Sequence, residues 1–441
     1  MGIDAWQVLV HVCRRWRNLV FRSPRRLNLQ LLCTPRTPAK DKLDVWPALP
    51  LIVLGDMIMT FGTDDVIAAL GQSNRVCGVS LWLLARWQLE KVLAAMQVPF
   101  PALTELWLSS LHDETLMSAI PDSFLGGSAK SLQYFRLNGI PFPGMPKLLR
   151  SATHLVQLSL TSIPHSGYIS PEVMVTFLSA LSSLLILFLE FESPQSRPDW
   201  QSLPPPKCSI LPALKEFHFK GVTEYLEELV TRIDTPQLDR MLITFFNQID
   251  FDCPRLVEFI NCTPTLRALD EARAQFFDST AYVNLRYRTS QSGLDGLTIA
   301  ISCGEPDWQL SSIEQFCNSS LHPISTVEDL YIIHPIWEPV LDDDAVMKTL
   351  WLELLSPFTA VKNLYLRKRF APNIAAALEE LVGGRITEVL PSLESIFVER
   401  LGPSGTFQKS IGQFVTARQL SDHPIAISDW HYKHNYHIRP M

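Results

Sequence analysis

One apolar spacing recurs along most of the 441-residue chain and limits the folds that it can adopt. Each copy has an apolar residue, two variable residues, a second apolar residue, one variable residue and a third apolar residue. Clear copies are LTELWL from Leu103, LVQLSL from Leu155, VEDLYI from Val327 and VKNLYL from Val361. The second apolar residues recur at intervals of 23 to 34 residues, apart from one interval of 56 that equals two periods of 28. They are Val79, Leu106, Phe135, Leu158, Leu187, Phe217, Met241, Leu297, Leu330, Leu364 and Ile396.

The segments between copies have the apolar periodicity of helices. SPEVMVTFLSALSS begins with Ser170 as a helix cap and Pro171 as the first helical residue. ARWQLEKVLAAMQ, TEYLEELVTRI, AVMKTLWLELL and NIAAALEELV are also amphipathic. Strands and helices in such regular alternation predict an α/β leucine-rich-repeat solenoid, in which a curved parallel sheet is backed by outer helices. An all-β sandwich is excluded.

The pattern weakens in one region. LRALDEA keeps Leu266 and Leu269 but has Glu271 where the third apolar residue belongs, which predicts a degenerate copy centred on Leu269. AYVNLRY, residues 281 to 287, alternates like a strand but comes only 14 residues before Leu297. It predicts either a strand on the convex side or a hairpin with residues 294 to 302.

A short helix is expected before the array. Its apolar face would carry Val8, Leu9, Val12, Trp16, Leu19 and Val20. Ser23 and Pro24 should end it, and Leu27, Leu29 and Leu31 then alternate with polar residues like a half-buried strand.

The string VCRRWRNLVFRSPRRLNL, residues 12 to 29, resembles the second half of an F-box. Its Cys-Arg-Arg-Trp core is followed by Ser-Pro and a leucine strand. The likeness is greatest to the F-box and leucine-rich-repeat proteins of mushroom-forming fungi. It implies that Val12, Trp16 and Leu19 dock a Skp adaptor and that the array holds a protein target.

An F-box normally opens with Leu-Pro and a further apolar helix, whereas only GIDAWQVLVH separates Met1 from the motif. An N-terminally truncated F-box is therefore expected. The predicted domains are a partial F-box-like segment over residues 1–30, the solenoid over 31–401, and a C-terminal cap and tail over 402–441.

Composition limits the cellular compartments and the classes of partner that are expected for the protein. The eight cysteines are scattered without zinc-ligand spacing, which indicates reduced thiols in the cytoplasm or nucleus. No apolar run has the length of a membrane span, and no secretory signal precedes the array. The net charge is −7, with a basic first 42 residues and an acidic remainder. An acidic body repels phosphate, so no nucleic-acid partner is expected.

No motif predicts catalysis, a metal or a cofactor. DEAR at 270–273 is like a helicase box, but GGSAKS from Gly126 lacks the second glycine of a phosphate loop. Asp342, Asp343 and Asp344 are better explained as a helix start than as a cation site. His431, His434 and His437 are better explained as a surface tail than as zinc ligands. The chain is expected not to be an enzyme.

The variable strand positions point away from the core, onto the predicted concave face. Aromatic residues are enriched there, and they anchor many protein interfaces. Strands also favour aromatic residues for packing, so both explanations stand. The predicted partner-binding residues are Trp107, Arg136, Phe188, His218, Tyr331, Tyr365, Arg367 and Phe397.

Three functions follow as hypotheses. The first is the substrate-recognition subunit of a Skp–cullin–F-box ubiquitin ligase, without catalytic residues of its own. The second is a protein-interaction scaffold without ligase coupling, or a truncated form of a complete receptor, because the adaptor-binding half of the F-box is missing. The third is an enzyme of nucleotide chemistry, which lacks a recognisable phosphate site.

Overall fold

The computed structural model describes residues 13–22, 31–34, 43, 49–56, 62–111, 119–142, 146–194, 208–246, 253–288, 296–319, 321–333, 345–399 and 406–430. They fall into two compact units. Unit 1 comprises residues 1–214 with 232–234, and unit 2 comprises residues 215–231 with 235–441.

Short strands and helices make up both units. The strands are β1 (Leu31–Cys33), β2 (Leu51–Asp56), β3 (Val76–Leu84), β4 (Glu105–Ser110), β5 (Tyr134–Asn138), β6 (Gln157–Ile163), β7 (Ile186–Phe191), β8 (Ser209–Ile210), β9 (Glu216–Gly221), β10 (Ile233–Asp234), β11 (Arg240–Phe246), β12 (Glu271–Phe277), β13 (Thr280–Arg286), β14 (Gly296–Ser302), β15 (Asp329–Ile333), β16 (Asn363–Leu366), β17 (Ser395–Glu399) and β18 (Ala426–Trp430).

The α-helices are α1 (Arg14–Arg22), α2 (Thr63–Leu70), α3 (Arg86–Ala95), α4 (Pro146–Ser151), α5 (Pro171–Leu178), α6 (Thr223–Val230), α7 (Pro254–Cys262), α8 (Pro306–Cys317), α9 (His322–Ser325), α10 (Ala345–Leu355), α11 (Ala371–Glu379) and α12 (Thr406–Leu420). Short 3₁₀ helices span Phe124–Gly127, His165–Gly167 and Pro264–Leu266.

Strands β1 to β7 of unit 1 pair in chain order, and every pair is parallel. The second apolar residues of the sequence copies form one register row across β3 to β7. This buried row is Val79, Leu106, Phe135, Leu158 and Leu187. Each turn therefore buries its leucines against its neighbours, and the predicted leucine-rich-repeat solenoid fold is confirmed.

Helices return the chain between these strands as the sequence predicts. In α5 the side-chain oxygen of Ser170 accepts a hydrogen bond from the Val173 backbone N–H at 3.4 Å, and Pro171 is the first helical residue. The cap and the proline thus fix where the helix begins. Helix α1 ends at Arg22, directly before the predicted stop at Ser23.

Unit 2 departs from simple chain order. Its strands lie in the order β9, β11, β14, β13, β12, β15, β16, β17 and β18. Strand β13 runs antiparallel to both β12 and β14, while the other neighbours in unit 2 are parallel. Of the two predictions for residues 281 to 287, the hairpin with β14 is confirmed. The chain passes from β11 to β12 and returns through β13 to β14.

The predicted degenerate copy is displaced by three residues. Ala272, and not Leu269, pairs with Leu330 in the buried register row. Leu266 and Leu269 are also buried, but they precede the strand. Ala272 and Ala274, at the core positions of β12, line a small apolar space together with larger residues, Leu354 among them.

The segment after Leu401 is predicted to cap the array. Its described part forms α12 and β18, and α12 packs against α11. Strand β18 pairs in parallel with β17, from Ser395 opposite Ala426 to Glu399 opposite Trp430. These residues therefore add a further helix and strand of the same kind to unit 2.

Candidate functional site

The residues that alternate with the buried leucines lie on the opposite face of the strands, here called the open face. Its middle row in unit 1 is Ser80, Trp107, Arg136, Ser159 and Phe188. Its middle row in unit 2 is His218, Leu242, Thr298, Asn284, Arg273, Tyr331, Tyr365, Phe397 and Ser428. The predicted site residues of the two rows are therefore divided between the two units.

Two tryptophans and an arginine form a cluster on the open face of unit 1. The rings of Trp82 and Trp107 meet edge to face, with centroids 5.4 Å apart. The guanidinium of Arg136 lies over the Trp107 ring, 5.2 Å from its centroid, and its Nη2 donates a hydrogen bond to Gln157 Oε1 at 2.9 Å. Trp107 is 36% exposed, so part of its ring surface remains accessible within the cluster.

Phe188 lies two strands from Arg136 in the same row, with Ser159 between them. The Phe188 side chain is half-buried, whereas Ser159 is buried. Phe188 thus presents apolar surface on the same face as the tryptophan cluster, and Ser159 lies between them.

The open face of unit 2 carries a column of stacked rings. Tyr331 stacks on Tyr365 with centroids 4.1 Å apart and planes 6° apart, and Tyr365 stacks on Phe397 at 4.6 Å and 10°. The guanidinium of Arg273 covers the other end, 5.0 Å from the centroid of the Tyr331 ring. We call these four residues the aromatic column. All four rungs come from one register row, so the sheet itself imposes the stacking.

Trp430 of β18 packs against the column. Its ring centroid lies 5.8 Å from that of Tyr331 and 5.4 Å from that of Tyr365. Burial raises the pKa of the Tyr331 hydroxyl, and the Glu271 carboxylate raises it further. Burial is also the main cause that raises the pKa of Tyr365. The two tyrosines are thus partly removed from water.

A row of charged residues borders the column on the same face. Glu271 is buried, and its Oε1 lies 2.5 Å from Arg273 Nε and 2.7 Å from Arg286 Nη2. Asp329, also buried, pairs with Arg288 and accepts a hydrogen bond from Asn363 Nδ2 at 2.8 Å. These charged residues thus pair with one another within unit 2.

Two predicted site residues differ from their expected solvated state. His218 is only 1% exposed, and its Nε2 lies 2.5 Å from Glu216 Oε1, which also binds Arg240. His218 is predicted to lie on the partner-binding face, but its side chain is buried and has almost no surface for a partner to contact. Arg367 is largely buried, and its Nε lies 3.4 Å from Glu399 Oε2.

Sequence reasoning missed three members of these clusters: Trp82, Arg273 and Trp430. Trp82 comes directly after the sequence copy that contains Val79. It lies two residues beyond Ser80, so strand alternation could have placed it on the open face. Arg273 was missed because the copy was centred on Leu269. Trp430 lies in a strand that lacks the repeat spacing.

The N-terminal helix presents its basic residues and one aromatic residue. Arg14, Arg15 and Arg17 are exposed, and Trp16 is 49% exposed. Of the other two predicted adaptor contacts, Val12 and the side chain of Leu19 lie outside the described residues. So do Asp342, Asp343, Asp344, His431, His434 and His437.

The helicase-like string has structural contacts. Asp270 Oδ1 accepts a hydrogen bond from the Arg288 backbone N–H at 2.6 Å, and Glu271 belongs to the ion pairs above. In the part of the chain that the structure describes, no helix is both long and apolar enough to cross a membrane. The same part contains no group of three histidine, cysteine or acidic residues arranged to hold a metal ion.

Comparison with known proteins gives a distant likeness to a solved structure. No protein-family model matches the sequence, and no curated protein matches it. The solved structure of the leucine-rich-repeat-containing protein LegL7 from Legionella pneumophila is similar over 87% of this chain and 97% of that chain. Sequence identity is 12% and the TM-score is 0.29. The fold assignment therefore rests on the strand register and the buried leucine rows of the chain itself.

Proposed function

We propose that this protein is a non-catalytic protein-binding solenoid whose open face holds a protein partner. The observation that carries the proposal is the exposure of Trp107 in the middle row of the open face of unit 1. Large aromatic side chains with exposed surface and fixed neighbours bury much area on binding and lose little conformational entropy. Repeat arrays present such surfaces without needing to rearrange.

We further propose that the protein is the substrate-recognition subunit of a Skp–cullin–F-box ubiquitin ligase. The resemblance of residues 12 to 29 to an F-box supports this, together with the exposed Trp16 on helix α1. The cytoplasm or nucleus is then the proposed location. The absence of disulfides among the eight cysteines is compatible with a reducing compartment.

Co-expression of the full chain with a Skp adaptor tests the ligase proposal. We expect a complex on gel filtration that is weakened by Trp16→Ala. Trp308→Ala is the matched control, because Trp308 is a similarly exposed tryptophan, at 44% against 49%, on helix α8. A complex that is lost equally in both variants, or that never forms, overturns the adaptor role.

Binding of a protein partner without the adaptor would instead support the scaffold function. Proximity labelling with the full chain identifies candidate partners, and purified candidates are then tested for direct binding. We expect Trp107→Ala to weaken that binding by about 2 kcal/mol, as loss of an interface anchor does. Trp87→Ala, at an exposed tryptophan on helix α3, should leave it unchanged. Equal affinity of the Trp107 variant and the wild type would contradict the open-face site.

A further inference from the structure

The indole of Trp430 reaches back across the open face of unit 2. Its strand β18 lies three places from β15 in the sheet, with β16 and β17 between them. The centroid of the indole is nevertheless 5.8 Å from that of the Tyr331 ring on β15 and 5.4 Å from that of the Tyr365 ring on β16. The Trp430 side chain therefore covers part of the aromatic column from the last described strand of the sheet.

Strand β18 adds little buried apolar surface of its own to unit 2. None of its residues is fully buried, whereas β16 and β17 bury every second residue. The connection from α12 to the strand, residues 421–424, is exposed, and only Ile425 directly before the strand is buried. Because so few side chains hold β18 in the core, its position depends on its pairing with β17, on Trp430 and on the helix that precedes it.

That helix, α12, packs on α11 through a face that includes a charged residue. Among its described side chains the buried ones are Ile411, Phe414 and Arg418. Their spacing of three and four residues places them on one face of the helix. Such a face normally carries apolar residues throughout, but Arg418 is 0% exposed, so a guanidinium takes the third core position.

The buried guanidinium of Arg418 has few polar contacts. Its Nη2 donates a hydrogen bond to the Leu390 carbonyl oxygen at 2.6 Å, and the group lies 5.7 Å from the centroid of the Phe414 ring. In the part of the chain that the structure describes, no carboxylate pairs with it, and its Nε and Nη1 have no hydrogen-bond partner. A buried charge without a counter-charge costs free energy that it regains in water. Arg418 therefore weakens the docking of α12.

We propose that α12 and β18 form a reversible cover of the aromatic column, and that an aromatic side chain of a protein partner replaces Trp430 when the cover opens. Solvation of the Arg418 guanidinium lowers the free energy of opening relative to that of the other helices of unit 2. The short connection, residues 421–425, makes β18 leave together with α12.

Trp430 itself indicates the chemistry of the partner. An indole already contacts the rings of Tyr331 and Tyr365, so a tryptophan, tyrosine or phenylalanine from an extended partner segment can make the same contacts. The proposal rests on the proposed protein-binding function. It adds a second site, on unit 2, that Trp430 covers in this structure.

Hydrogen–deuterium exchange of the full chain, read by mass spectrometry, tests the opening without any ligand. We expect the backbone amides of α12 and β18 to exchange together and faster than those of β16 and β17. Arg418→Met removes the charge but keeps a long side chain, so it should slow this exchange about tenfold. Arg418→Lys is the matched control, because it keeps the positive charge and should not slow the exchange.

A phage-displayed library of random peptides tests the type of occupant. Selection uses the full chain with Trp430→Ala, in which the column stays uncovered, and circular dichroism confirms that this variant is folded. We expect the enriched peptides to share an aromatic residue and to bind the wild type at least about tenfold more weakly, because opening must precede binding. Trp308→Ala removes an exposed tryptophan from α8 instead and should bind the peptides no better than the wild type does.

Several results would overturn the inference. The cover is wrong if α12 exchanges equally fast in Arg418→Met and in the wild type, or if it exchanges only together with β16 and β17. The aromatic occupant is wrong if no peptide is enriched, if the enriched peptides lack aromatic residues, or if they bind Trp430→Ala and the wild type equally. None of these results bears on the open face of unit 1, whose test is partner binding by Trp107→Ala.

Discussion

The ring of Tyr331 lies parallel to that of Tyr365, with planes 6° apart and centroids 4.1 Å apart. The two residues occupy matching register positions on β15 and β16, so adjacent strands bring the rings together. Both side chains are half-buried and Trp430 packs against them. The aromatic column therefore contributes to the stability of unit 2, whether or not it also contacts a partner.

Truncating the middle of the column should destabilise unit 2. Tyr365→Ala removes the stacking contacts with Tyr331 and Phe397 and the contact with Trp430. Because each aromatic pair contributes roughly 0.5–1.5 kcal/mol beyond area burial, we expect a loss of about 2–3 kcal/mol in the free energy of unfolding. Urea unfolding measures it.

Tyr134→Ala is the control for the Tyr365 variant. Tyr134 is a half-buried tyrosine on the open face of β5 in unit 1 that makes no ring contact with a described residue. We expect its loss to cost about 1 kcal/mol or less. Equal costs for the two variants would show that the stacking adds nothing to stability. Partner binding by Tyr365→Ala is to be measured only under conditions where that variant is folded.

Ionisation of the column should cost stability at high pH. The pKa of Tyr331 and that of Tyr365 lie above the ordinary value of 10.0, chiefly because burial disfavours the phenolate. Each neutral tyrosine therefore contributes to the stability of the folded state, and this contribution is complete below the pKa of the unfolded chain, about 10. It is lost as the pH rises from about 10 through the higher pKa of the folded protein.

Absorbance at 295 nm during alkaline titration reports tyrosine ionisation. We expect part of the signal to appear only with unfolding, and we expect that part to shrink in the Tyr331→Phe variant. The slope of the free energy of unfolding against pH should also become shallower above pH 10 in this variant. If every tyrosine titrates reversibly near its ordinary pKa while the protein stays folded, this expectation is wrong.

The parts of the fold that could be predicted are those in which leucine spacing alone decides burial. In β4 and β6 the residues Leu106 and Leu158 enter the core because their neighbours in the array do the same. A local pattern is sufficient there, since each turn packs on the next. The cap at Ser170 could be predicted for a similar reason, because it depends on a hydrogen bond within one helix turn.

The strand order of unit 2, in which β13 lies between β14 and β12, could not be predicted from local spacing. Ala272 and Ala274 hold the core positions of β12, and their small side chains do not mark a strand by hydrophobicity. The order β14, β13, β12 depends on pairing between distant segments, which spacing does not report. The contacts beside His218 likewise involve two strands, because Glu216 lies near its ring and also pairs with Arg240 of β11.

A glycine makes the return of the hairpin possible. Gly296 begins β14 with a φ of +114°, and a Cβ atom there would overlap the carbonyl oxygen of Leu285 on β13. Gly296→Ala should therefore add a steric clash to backbone strain and lower the free energy of unfolding by roughly 3 kcal/mol or more.

Gly383→Ala separates these two effects. Gly383 has a nearly identical φ of +113°, but a Cβ atom there would meet nothing within 4 Å. This variant should show the strain alone, at roughly 1–2 kcal/mol. Urea unfolding of both variants provides the comparison, and equal losses would show that the hairpin relaxes around the added methyl group.

The buried carboxylate of Glu271 should be one of the most sensitive polar positions in unit 2. Its Oε1 binds both Arg273 and Arg286, and the Arg286 side chain is itself almost fully buried. Glu271→Leu removes the negative charge from two guanidinium groups in a poorly solvated place, so we expect a loss of roughly 3–5 kcal/mol. Replacing both ends of the main pair, as Glu271→Leu with Arg286→Met, should recover much of that loss.

Glu328→Gln is the matched exposed control. Glu328 Oε1 lies 2.8 Å from Lys362 Nζ, but both side chains are more than 40% exposed. An ion pair in water contributes about 1 kcal/mol or less and weakens with salt, whereas a buried pair is screened much less. Urea unfolding at low and high NaCl should therefore separate the two sites. If Glu271→Leu costs no more than Glu328→Gln at either salt concentration, the buried ion pairs do not hold β12 and β13 in register.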